Sequence, residues 1–206
     1  MQRGSAERQP GEGRSLARPG PAAVVVSGPP GAGKTTLATA LAASQHYAIV
    51  DLDTVTGPLT RAALRLSAGD EAAIDSPAGS ALRAARYETL LDVAAANLAI
   101  GIGVVIAAPF TSELSSREDF DKVVRLLGVD DRVSLVFVDT PEHVVRSRLE
   151  SRNAPRDRAK LVGQADAAKS EPRPAAAIVV DGEKSLADQL AQVLDALEGD
   201  SRGAPC

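Results

Sequence analysis

The run Gly28-Pro29-Pro30-Gly31-Ala32-Gly33-Lys34-Thr35 fits the spacing G-x-x-x-x-G-K-[ST]. Glycines at those positions let the backbone wrap until several N–H groups converge on one anion. A helix opening at Lys34 would add its positive N-terminal end. Lys34 then brings a mobile positive charge to the outer phosphates of a nucleoside triphosphate, and the Thr35 hydroxyl can ligate Mg²⁺. Thr36 lies in the same first turn, so Gly28 to Thr36 are the candidate phosphate contacts. The loop directly follows an apolar run and directly precedes a helical pattern, the context that this chemistry requires.

Two further groups could act on what the loop holds. Asp51-Leu52-Asp53 closes the run YAIVD. In an extended chain, residues two apart point to one side. Both carboxylates are therefore expected to leave the edge of a sheet together, beside the phosphates, where open α/β sheets bind ligands. One could hold Mg²⁺ or its water while the other accepts a proton from an attacking hydroxyl. The second group is a basic segment, Arg146, Arg148, Arg152, Arg156, Arg158 and Lys160, interrupted only by Glu150 and Asp157. Arg148 and Arg152 are four apart and share a helix face, and Pro155 breaks the helix after them. A helix end leading into an Arg-rich loop is what a closing lid needs, because guanidinium groups neutralise the charge of a transferring phosphoryl group. An Arg plane is also a platform for adenine in a chain this poor in aromatics. Candidate acceptor contacts lie between that lid and Thr54–Tyr87: Arg61, Arg65, Arg83, Arg86 and Tyr87, with Phe110 and Thr111 expected to face the same cleft.

The elements that would position these groups are legible as alternating patterns. Continuous apolar runs at Ala22–Ser27, Tyr47–Asp51, Ile102–Ala108, Val133–Asp139 and Ala176–Gly182 read as strands covered on both faces. Helical spacing fills the gaps at Lys34–Ser44, Ala81–Ile100, Glu118–Leu127, Pro141–Arg152 (with Thr140 as its cap) and Ser185–Leu197. The segment Thr54–Ser80, with Gly57, Pro58, Gly69, Pro77 and Gly79, is an insertion without a clear pattern. Strands alternating with helices predict a three-layer α/β sandwich around a parallel sheet. Residues 1–21 and 199–206 have the composition of disordered tails, bracketing a domain over 22–198.

Composition narrows the function. The chain has 206 residues, 44% hydrophobic, 24% charged and 2% aromatic, with a formal net charge of −4. That balance does not suit coating a duplex, and so few aromatics offer no stacking surface for single strands, so nucleic acid is not the expected partner. One cysteine, Cys206, and two histidines, His46 and His143, exclude an intrachain disulfide framework and a Cys-based zinc site, and the composition suits a reducing cytoplasm. The uncharged stretch from Val93 to Ser112 is interrupted by Asn97, Gly101, Gly103 and Pro109, and reads as helix, turn and buried strand rather than a membrane span. Neither an Asn/Thr-Lys-x-Asp guanine reader nor an Asp-x-x-Gly switch after a strand is found. A chain of 206 residues also leaves little room for the second helical domain of the hexameric remodelling ATPases.

In order along the chain, GPPGAGKTT, VDLDTV, VVIAAPF, VFVDTPEHVVRSRLESRNAPRDRAK and IVVDG resemble the small P-loop kinases. The resemblance covers Ala22 to Leu197. It is to the branch labelled AAA-family ATP-binding protein, similar to chloramphenicol phosphotransferase, zeta toxins, and gluconate and shikimate kinases. It implies the P-loop NTPase fold with parallel strand order 2-3-1-4-5, a mobile lid at about residues 152–170, ATP with Mg²⁺ as donor, and a small-molecule hydroxyl as acceptor. It implies Asp53 as base or acceptor-orienting group, Asp51 and Thr35 on the Mg²⁺ side, Arg148 against adenine, and Arg152 or Arg156 reaching the phosphates. Lys34, Asp53 and Arg152 are then the catalytic set. One departure stands out: many such proteins end the third strand in an acid near the metal, whereas this chain reads Ala107-Ala108-Pro109. That departure keeps two other readings open, a regulatory ATP-binding protein with no phosphoryl acceptor, and a kinase of polynucleotide ends or nucleotide sugars.

Overall fold

The computed structural model describes residues 22–68, 77–111, 114, 116–129, 132–152 and 177–203. The expected tail at 1–21, the end of the chain at 204–206, Arg156 and the expected lid beyond Arg152 lie outside the described residues. Five strands, β1 (Ala23–Ser27), β2 (Ala48–Asp51), β3 (Val104–Ala107), β4 (Val133–Asp139) and β5 (Ile178–Asp181), form one sheet in the order β2-β3-β1-β4-β5. Every pairing is parallel. This is the order that the resemblance implies, and the chain has the P-loop NTPase fold. The strands are those of the sequence pattern, trimmed by up to two residues at their ends, where edge positions lose ladder partners.

The continuous apolar runs have the burial they require. β1 is central and wholly buried. Its Ala23 and Val25 face α3 (Pro77–Ala99) and α4 (Arg117–Leu127), packing with Leu90, Leu91, Ala94, Val123 and Leu127. Val24 and Val26 face the opposite way, onto Leu37, Ala38 and Leu41 of α1 (Lys34–Gln45) and Val193 and Leu197 of the C-terminal helix α6 (Leu186–Gly203). α6 therefore runs past Glu198, where the apolar pattern was expected to end. Among the described residues no helix is long and apolar enough to cross a membrane.

The segment beginning at Thr54 is where the sequence pattern misled. It opens with a helix, α2 (Leu52–Ala68), that starts directly after β2 and carries Pro58 inside it. Its inner face is Leu52, Thr56, Thr60 and Leu64, all buried. The two buried hydroxyls are satisfied within the helix, Thr56 donating to the Leu52 carbonyl and Thr60 to that of Thr56. α3 likewise begins at Pro77, earlier than expected, with proline at the first helical position where its missing N–H costs nothing. α5 (Glu142–Arg152) starts after Pro141, whose carbonyl accepts the Val145 N–H. Thr140, the expected cap, turns its hydroxyl to another partner described below.

α2 supplies a test of its own sidedness. Leu64→Ala, at a fully buried position, is expected to cost about 2–5 kcal/mol of unfolding free energy in urea titration. Leu59→Ala on the same helix, 76% exposed, is expected to stay within about 0.5 kcal/mol of the parent.

Candidate active site

The loop between β1 and α1 is built on left-handed glycines: Gly28 at φ +138°, Gly31 at +84° and Gly33 at +105°. Gly28 has no alternative residue, since a Cβ there would sit 2.5 Å from the backbone oxygen of Val138 on β4. α1 opens at Lys34, so the N–H groups of its first turn, which have no partner inside a helix, face the end of the loop. Lys34 arches back across the loop and donates from Nζ to the Pro29 carbonyl at 2.7 Å. A tight glycine turn, a helix N-terminus and a lysine across its mouth are what a polyphosphate needs. The loop thus fits the nucleotide that its sequence predicts.

Beside the loop, Thr35 donates from its hydroxyl to Asp51 Oδ2 at 3.0 Å. The other carboxylate oxygen, Oδ1, accepts the Thr54 N–H at 2.9 Å and the Thr54 hydroxyl at 2.8 Å. Asp51 is therefore the N-cap of α2 as well as the partner of the loop threonine. In the sheet Asp51 stands in register beside Ala107, on the neighbouring strand. The end of β3 carries no carboxylate, and that of Asp51 lies on the neighbouring strand, bonded to the loop hydroxyl. Ala107 and Ala108 themselves are buried core residues. A hydroxyl and a carboxylate side by side are hard oxygen ligands of the kind Mg²⁺ takes alongside phosphates and water, so the residues present fit that ion. Among the described residues no cluster of three His, Cys, Asp or Glu side chains offers a self-sufficient metal site.

Asp53 is not on the strand. It sits in the first turn of α2, so the same-side argument that joined it to Asp51 does not apply. It follows β2 directly at the start of α2, and it is held by a partner that the sequence pattern offered only as an acceptor contact. Arg86 of α3 donates from Nη2 to Asp53 Oδ1 at 2.8 Å and from Nε to the Thr56 hydroxyl at 2.9 Å. The arginine side chain is 14% exposed and the aspartate 56%, so a mostly buried cation holds a carboxylate that is open to solvent.

One helical turn away along α3, Arg83 lies 4.5 Å from the Tyr87 ring centre and donates to the Thr111 hydroxyl at 3.2 Å. Thr111 is exposed, as expected of a cleft residue, but Phe110 is buried in the core, packed edge-on against Tyr87 with ring centres 5.4 Å apart. Phe110 has φ +53°, and its N–H donates to the Tyr87 hydroxyl at 3.0 Å. Tyr87 is correspondingly buried. These two buried aromatics shape the turn after β3. On its other side that turn is pinned by Ser27, whose hydroxyl donates to the Pro109 carbonyl at 2.7 Å. Arg61 and Arg65 are exposed on α2, and His143 is exposed on α5.

Beyond β4, Arg148 donates from Nη1 to the Ala32 carbonyl at 3.0 Å and from Nη2 to the Gly182 carbonyl at 2.8 Å. The Thr140 hydroxyl also donates to Ala32, at 3.2 Å. Sequence reasoning gave none of these three contacts, because a side chain meeting a distant carbonyl leaves no local pattern.

Residues 24–171 match the AAA domain family designated AAA_33. The chain belongs to that family. No curated protein matches it. Among solved structures, this AAA-domain protein is similar to a sugar kinase from a Janibacter species, at 21% identity over 89% of this chain and 98% of the other, with a TM-score of 0.58. It is similar to a gluconokinase from Sinorhizobium meliloti (23% identity, 88% and 93% covered, TM-score 0.56). The shikimate kinase of Aquifex aeolicus matches at 22% identity with 88% and 99% covered and a TM-score of 0.51. At these identities the likeness is one of fold.

The turn after β3 supplies a prediction. Tyr87→Phe keeps the ring contacts and removes the acceptor of the buried Phe110 N–H. Urea unfolding is expected to show a loss of about 1–3 kcal/mol.

Proposed function

We propose that this protein is an ATP-dependent phosphotransferase that moves the γ-phosphoryl group of ATP to a hydroxyl of a small molecule. The observation that carries the reading is the arrangement beside the loop: Thr35 bonded to Asp51, and Asp53 at the start of the same helix, held by Arg86 and open to solvent. A fixed carboxylate that stays open to solvent is what orienting an acceptor hydroxyl requires. The kinases named as similar folds support the reading, since those proteins are described as acting on sugars, gluconate and shikimate.

In this reading Lys34, the amides of Gly28 to Thr36 and the N-terminus of α1 bind and orient the polyphosphate. Thr35 and Asp51 would hold Mg²⁺, which supplies charge neutralisation between the outer phosphates. Asp53 orients the acceptor hydroxyl and takes its proton as the oxygen attacks, and Arg86 holds that carboxylate in place. Arg152 and Arg156 are the guanidinium groups assigned to the transferring phosphoryl oxygens, and Arg148 is assigned to the nucleotide. Arg83, Arg86 and Thr111 border the acceptor side and favour an acceptor that carries a carboxylate or phosphate besides its hydroxyl. The protein is read as cytoplasmic, with no nucleic-acid or membrane partner.

The test is transfer of labelled phosphate from ATP across a library of sugars, sugar acids, nucleosides, amino acids and antibiotics, with binding measured in parallel. Lys34→Ala is expected to abolish transfer. Asp53→Ala is expected to lower it by about 10²–10⁴-fold while leaving ATP affinity within about twofold. Full activity of Asp53→Ala on the identified acceptor would remove the base assignment. ATP binding with no labelled product from any class would favour a regulatory ATP-binding protein instead.

A further inference from the structure

We propose that Arg148 is a positioning residue of the phosphate loop: by bridging the Ala32 and Gly182 carbonyls it aims the loop's own N–H groups, and so sets affinity for a polyphosphate whatever base is attached. The proposal rests on the reading of that loop as the nucleotide site, and it assigns to Arg148 a task separate from lying against adenine.

The outer wall of the loop is α5. Val145 and Leu149 are buried against Gly31, where an added Cβ would come within 3.3 Å of both side chains. Arg148, on the same face of that helix, reaches the next stretch of loop with a forked grip, Nη1 to Ala32 O at 3.0 Å and Nη2 to Gly182 O at 2.8 Å. Thr140 Oγ1 adds a second donor to the Ala32 carbonyl at 3.2 Å. The far anchor is fixed as well. Gly182 donates its N–H to the Asp139 carbonyl at 2.7 Å, and a side chain at Gly182 would collide with Thr140.

The consequence follows from the planarity of the peptide. In a trans unit the Ala32 C=O and the Gly33 N–H point in opposite directions. Two donors that draw the Ala32 oxygen outward, toward α5 and β5, therefore turn the Gly33 N–H away from that wall and into the concave side of the loop. A carbonyl that accepts two bonds, one of them from a cation, is also more polarised, which strengthens the N–H of the same peptide as a donor. The guanidinium is suited to this task because its rigid fork meets two carbonyls at once; a lysine ammonium on a flexible stem is a point charge without that geometry.

The experiment is calorimetric titration of the full-length chain with Mg²⁺ present, using two probes, ATP and inorganic tripolyphosphate, on the parent, Arg148→Lys and Thr140→Val. Circular dichroism melts establish that each variant is folded at the assay temperature. Arg148→Lys is expected to weaken tripolyphosphate by about tenfold or more and ATP by at least as much, and Thr140→Val to weaken both in the same direction by less. A merely structural role would move the melting temperature and leave polyphosphate affinity of the folded protein alone. If Arg148→Lys loses ATP but binds tripolyphosphate like the parent, Arg148 acts on the base and the proposal is overturned. Parental affinity for both probes overturns it too. Should Arg148→Lys not fold, Thr140→Val decides by the same outcomes, since it replaces the hydroxyl by a methyl of the same shape. A parent that binds neither probe would instead sink the nucleotide-site reading itself, a result distinct from the others.

Discussion

Gly28 leaves the first strand under the backbone of the fourth, with space for a hydrogen and nothing larger. That close approach fixes where the chain goes next. With φ at +138° the backbone turns across the end of β4 rather than β3. The tip of the loop is thereby delivered to α5, and the first turn of α1 to the side where β2 ends. Two groups of polar side chains flank the loop. Toward β2 lie Thr35, Asp51, Asp53 and Arg86; toward β5 lie Arg148, Thr140 and Gly182. The loop leans on both walls because its three glycines have little conformational preference of their own. Its shape is held by what it touches.

The two walls do different work. The β5 side binds the Ala32 carbonyl of the loop through Arg148 and Thr140. The β2 side binds a loop hydroxyl and offers carboxylates. Asp51 is the joint between them and the rest of the protein, since one oxygen caps α2 while the other accepts from Thr35. Asp51 stands in register beside Ala107, on the strand next to β3, and there it meets the loop threonine. That double engagement has an architectural consequence. Because the acid also caps a helix, α2 cannot move relative to the loop without breaking one bond or the other.

Most of the scaffold was legible because it depends on burial, and burial repeats along a sequence. Val24 and Val26 on one face of β1, Ala23 and Val25 on the other, belong to a continuous apolar run that only a doubly covered strand can hide. The phosphate loop was legible because glycine, lysine and threonine at fixed offsets have a single physical use. α2 was hidden by Gly57 and Pro58, which usually punctuate chains, whereas here an already capped helix carries them through its second turn. Its real signal was the cap, Asp51 with Thr54 three residues on, and reading Asp51 and Asp53 as one strand edge concealed it. Phe110 misled for a different reason. Its neighbours Pro109 and Thr111 suit a cleft, and nothing local announces that a left-handed turn will send the ring inward to meet Tyr87.

The start of α2 and the turn after β3 owe their geometry to one helix. Arg83, Arg86 and Tyr87 lie three and four apart on α3, and between them they hold Thr111, Asp53, Thr56 and the Phe110 peptide. Arg86 works against the start of α2 and Tyr87 against the turn after β3, so these two segments are both fixed to a common rod. Tyr87, Leu90, Leu91 and Ala94 seat that rod in the core under β1 and β3. Packing of an apolar face therefore sets the position of Asp53 relative to Thr111. Side chains on this face of α3 cannot be divided cleanly into structural and functional ones: the turn that buries a tyrosine ring is the same turn that aims two guanidinium groups.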